Sequence, residues 1–134
     1  MRTRRKNMTC EGLKNRKMND KTYTLRRKVI NIIYTINDLL KAKGLDRMPR
    51  VDVRIVDDIS RGALGTARMG DNIVWIPATT TERTEEFLYN VVAHELCHAV
   101  YIIDHIDTCP LMQPGLGTPM PIDEVNKHFL KYAT

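Results

Sequence analysis

The run Val91-Val-Ala-His-Glu-Leu-Cys-His-Ala-Val100 constrains this chain more than any other stretch. It is apolar enough to be buried, yet it carries three groups that an interior does not accept unpaired. Its pattern is His-Glu-x-x-His. On a helix, residues four apart are offset by about 40° and lie about 6 Å apart along the axis, so His94 and His98 share a face and can hold one metal ion together. Glu95 sits beside them as the candidate general base. Two core histidines bonded to backbone are the ordinary alternative for such a stretch, but a pair at ligand spacing with a carboxylate between them favours the metal.

A chain of 134 residues, 43% of them apolar, suits one domain, read as residues 21–134 behind a basic leader over 1–20. Residues 1–28 hold 11 Lys or Arg against Glu11 and Asp20, so the remainder is mildly acidic. A basic arm of that kind suits a nucleic acid or an acidic partner, or else a solvated leader. The absence of long apolar runs and of a signal peptide points to a soluble, cytoplasmic protein without a membrane span, and the chain is read as a monomer. Cys10, Cys97 and Cys109 are an odd number without a pairing pattern, which favours reduced thiols and leaves a Cys97–Cys109 bridge open.

The expected fold class is α+β. Helical spacing of Leu25, Val29, Ile32, Ile33, Ile36, Leu39 and Leu40 predicts an amphipathic helix over 23–43, stopped by Gly44. Alternation predicts a strand over about 50–57, and Gly62 and Gly65 predict a bulged extended segment over 59–69. A turn at Gly70-Asp71 then leads into a strand over 72–76, forming a hairpin or nearly one. Thr79, Thr80 and Thr81 are cap candidates for a central helix over about 83–101. Prolines and glycines over 110–121 exclude regular structure there, and a short helix over 123–131 closes the chain with Val125, Phe129 and Leu130 inward. His128 reads as a surface residue, Trp75 and Tyr101 as core or cleft wall, and Cys97 as a small packing residue.

Catalytic zinc needs three protein ligands and an open position; Asp104, His105, Asp107 and the more distant Glu124 are the candidates for the third. His94-Glu-Leu-Cys-His98-Ala-Val-Tyr-Ile-Ile-Asp104 resembles the metzincin metallopeptidase motif, in which the third ligand lies six residues after the second histidine. That resemblance implies Asp104 as the ligand, as in the small snapalysins, with His105 as the alternative if the helix runs on. Cys109-Pro-Leu-Met112-Gln-Pro resembles the methionine turn of that clan, and Pro121-Ile-Asp-Glu-Val-Asn126 is similar to the start of its closing helix. Gly65-Thr-Ala-Arg-Met69 followed by Asp71-Asn-Ile-Val-Trp75 resembles its edge strand and neighbour. In the place of the family's glycine, three residues after the second histidine, stands Tyr101. The resemblance implies a minimal zincin-like fold and a zinc endopeptidase, with one catalytic Zn2+ on His94, His98 and Asp104. It further implies Met112 in the methionine turn and a polypeptide substrate bound along Ala63, Leu64, Gly65, Thr66 and Ala67. Two rival readings are a SprT-like or regulator-cleaving protease recruited to DNA by the leader, and a peptide-binding module whose zinc is closed by a fourth ligand such as Cys109 or His105.

Overall fold

The computed structural model describes residues 20–115 and 117–134. Apart from Asp20, the leader expected over 1–20, Cys10 included, lies outside the described residues. Helix α1, Asp20–Ala42, buries Leu25, Val29, Ile33, Ile36 and Leu40 along one stripe. It stops where the sequence predicts: Gly44 takes φ 73°, and the Leu45 N–H donates to the Leu40 carbonyl at 2.9 Å, closing the helix end.

Three short strands follow: β1, Asp52–Val56, β2, Thr66–Ala67, and β3, Ile73–Pro77. They form a mixed sheet in the order β1-β3-β2. Strand β1 runs parallel to β3 with Val53 opposite Val74, and β2 runs antiparallel to it with Thr66 opposite Trp75, so the expected hairpin is the β2–β3 pair. The inward face of β3 is strictly buried at Val74 and Ile76.

A 3-10 turn over Ala78–Glu82 occupies the threonines expected as caps, and the helix cap is instead Thr84, whose hydroxyl accepts from the Phe87 N–H at 3.0 Å. Helix α2, Glu85–Ala99, has 12 of its 15 residues buried, so it is the central element of the core and not a surface helix. Helix α3, Ile122–Ala133, packs on it through Val125 and Phe129, while Leu130 is only half-buried. Buried Asn90 locks the proline-rich loop to α2: its amide nitrogen donates to the carbonyls of Glu86 and Met120 at 2.8 and 2.9 Å, and its oxygen accepts from the Met120 N–H at 3.0 Å. Cys97 and Cys109 are both buried free thiols. His128 is half-buried with its Nδ1 unpartnered, not a surface residue. Among the described residues no helix is long and apolar enough to cross a membrane.

Candidate metal centre

Helix α2 presents His94 and His98 one turn apart, with ring centroids 4.7 Å from each other. Each ring is fixed by a backbone carbonyl from the segment that follows: His94 Nδ1 lies 2.6 Å from the Leu111 oxygen, and His98 Nδ1 lies 2.6 Å from the Ile103 oxygen. A carbonyl oxygen only accepts, so both Nδ1 atoms carry the proton and each neutral ring keeps its lone pair on Nε2. Those two Nε2 atoms face each other at 3.2 Å. Two lone pairs at that distance repel unless an electrophile lies between them. A proton is a poor candidate, because burial, only partly offset by the Leu111 carbonyl, pushes the His94 imidazolium down to about 4. The two Nε2 lone pairs would suit a metal ion, to which His94 and His98 would each supply one nitrogen.

The third member of the group is His105. Its ring centroid lies 5.3 Å from that of His94 and 4.8 Å from that of His98, and the ligand atoms of the three residues all fall within 4.8 Å of one another. Asp104, expected as third ligand, lines the same cleft but is not in this group. Its Oδ1 accepts the backbone N–H of His105 at 2.7 Å, so the carboxylate orders the residue beside it.

The helix end explains the difference. Helix α2 stops at Ala99, and the chain reverses at Ile102, which adopts φ 59°. The reversal thus falls one residue beyond Tyr101, the position of the absent glycine, and on a β-branched residue for which the left-handed region is strained. Behind it the Ile103 N–H donates to the Cys97 carbonyl at 3.0 Å, which brings the Ile103 carbonyl onto His98. Tyr101 turns away to pack edge-to-face on Phe129 at 5.6 Å, and Trp75 lies under the Arg68 guanidinium at 5.6 Å, so neither is cleft wall.

Glu95 is buried, 6% exposed, and lines the cleft beside the histidines. Burial alone pushes its carboxyl up to about 8. Across it runs the segment 62–67, in which only Thr66–Ala67 is strand; Ser60–Gly62 forms a 3-10 turn in place of the extended chain expected over 59–69. All five residues expected to hold substrate, Ala63 to Ala67, line the cleft of about 580 Å3. Strand β2 is the edge of the sheet, hydrogen-bonded on one side only, to β3. Gly65 makes the close crossing possible: a Cβ there would come within 3.0 Å of Val91 Cγ1 and 3.2 Å of Glu95 Oε2. The sequence marked this glycine as a sign of irregular strand and, through the resemblance, as part of the substrate edge, but not as a packing requirement against Glu95. Met112 is completely buried, one residue after the carbonyl that fixes His94, and its own carbonyl accepts from Ile106 N–H at 2.9 Å.

Compared with known proteins, the chain matches no family model, no curated sequence and no solved structure.

Proposed function

We propose that the protein is a zinc-dependent endopeptidase whose ion is held by His94, His98 and His105. The observation that carries the reading is the pair of apposed Nε2 lone pairs, within a three-histidine group, beside a buried carboxylate in an open cleft. Three neutral imidazoles suit zinc and leave one coordination position for water or substrate. A bound zinc ion supplies Lewis acidity toward water and toward a scissile carbonyl. Glu95, its ionised form favoured by a cation held by the histidines, accepts the proton of the attacking water and returns it to the leaving amine. An extended substrate adds itself to the free edge at 63–67, so that backbone hydrogen bonds supply much of its binding. The resemblance to metzincins supports a zincin-like arrangement with Met112 beneath the site, but His105 stands seven residues after His98, one more than in that motif.

The test is metal analysis joined to proteolysis. The purified protein is expected to take up one zinc ion per chain and to cleave an unfolded protein such as casein; chelation abolishes cleavage and zinc restores it. Glu95→Gln retains zinc and loses at least about a hundredfold in rate, consistent with removal of a general base. A Glu95→Gln protein as active as the parent rules out the mechanism.

A further inference from the structure

Apart from the histidine cleft, and sharing no residue with it, α1 and the segment leading into β1 enclose a groove of about 500 Å3. Arg26, Arg47 and Arg50 line it together with one carboxylate, Asp52, which the Arg54 guanidinium pairs at 3.0 Å. Tyr34 stands at it 59% exposed, and its lining includes the apolar Ile30 and Val51. Arg26 donates from Nε to the Val53 carbonyl at 3.3 Å, which fixes its guanidinium along the groove, while Arg47 and Arg50 project from an exposed stretch. The stripe extends along α1: Tyr23, 53% exposed, accepts from Arg27 Nη1 at 3.3 Å and lies 6.0 Å beneath that guanidinium.

Charge is segregated in the same sense. Residues 20–54 hold nine Lys or Arg against four Asp or Glu, whereas residues 55–134, which supply the histidine cleft, hold five against eleven. A polyanion is therefore drawn to the α1–β1 groove and repelled from the cleft.

We infer that the α1–β1 groove binds single-stranded nucleic acid. Guanidinium groups follow the phosphates, and the exposed faces of Tyr34 and Tyr23 offer stacking platforms for unpaired bases. A duplex keeps its bases stacked within and has no use for an aromatic at the mouth of an apolar-floored groove. An acidic peptide uses the guanidiniums equally but gains nothing comparable from the tyrosines. The inference stands apart from the peptidase reading, since it uses no residue of the histidine cleft.

The test is fluorescence anisotropy of the full chain with a labelled single-stranded oligothymidylate, across a salt series and with chelator present throughout. Tyr34→Ala is expected to weaken binding about tenfold, in line with the loss of one stacked base. Arg47→Gln with Arg50→Gln is expected to weaken it and to lower the slope of log affinity against log salt by about 1.4, or about 0.7 for each phosphate no longer neutralised. All three positions are exposed, and a thermal melt checks that each variant stays folded. Any one of three results overturns the inference. They are variants that bind as the parent does, which leaves the basic residues 1–19 as the only site; tighter binding of a duplex of equal length; and equal competition by polyglutamate of matched charge.

Discussion

Replacing Glu95 by glutamine isolates what it costs to bury this carboxyl without a cationic partner. The folded group titrates near 8 and the ordinary value is 4.5. Between those values the folded protein holds a proton that the unfolded chain has released. The contribution of Glu95 to metal-free stability therefore falls as pH rises from 4.5 and levels off above 8. At 1.36 kcal/mol per pKa unit the full interval is worth about 5 kcal/mol, an upper limit because water in the open cleft relaxes around the charge. Glutamine keeps the shape and cannot ionise. In chelator, urea denaturation at pH 8.5 is expected to find Glu95→Gln more stable than the parent by about 2–5 kcal/mol, with the two within about 1 kcal/mol at pH 4.5. His94 acts in the other direction: its folded value is depressed to about 4, so stability is lost as pH falls below 6.5. That loss occurs in both proteins and cancels in the difference. Stability differences that stay constant between pH 4.5 and 8.5 would refute the reasoning, because they would mean that Glu95 is solvated as well in the fold as out of it.

Isothermal titration with zinc separates the two candidates for the third ligand: His105→Ala is expected to lose at least about a hundredfold in affinity and Asp104→Ala about tenfold or less, and the reverse order would restore Asp104 as the ligand. Ile102→Gly is expected to stabilise the fold by about 1 kcal/mol in urea, since relief of left-handed strain outweighs the added freedom of the unfolded chain. Gly65→Ala drives a methyl group against Val91 and Glu95 and is expected to cost about 1–3 kcal/mol by the same assay, with a fall in cleavage rate beyond the loss of folded protein. Phe129→Ala removes a completely buried ring that packs on Tyr101 and is expected to cost about 3–5 kcal/mol.

What the sequence made legible was local. The periodicity of Leu25 to Leu40 gives α1, Gly44 gives its end, and His94 with His98 four residues apart gives one face of α2. What it hid depends on partners far along the chain or on a broken local rule. The parallel pairing of β1 with β3 joins residues about twenty apart, and no turn residue signals it. The 3-10 turn over the threonines moves the cap of α2 to Thr84, because three adjacent hydroxyl residues serve equally well as cap candidates. The third member of the histidine group hangs on where α2 ends. That end is set by an isoleucine in a conformation that sequence reasoning reserves for glycine. The arginine-lined groove was invisible for a simpler reason: Arg26, Arg47 and Arg50 meet only after α1 folds back on β1.

The turn between β2 and β3 is stapled to the end of α2: the Gly70 N–H donates to the carbonyl of His98 at 3.4 Å and the Asn72 N–H to that of Ala99 at 3.3 Å. The edge strand β2 and the helix end that presents His98 are therefore tied together through the turn between them. Tension applied along the free edge reaches the second imidazole through two peptide groups. In the proposed peptidase, a polypeptide laid on that edge would pull on the backbone that carries His98.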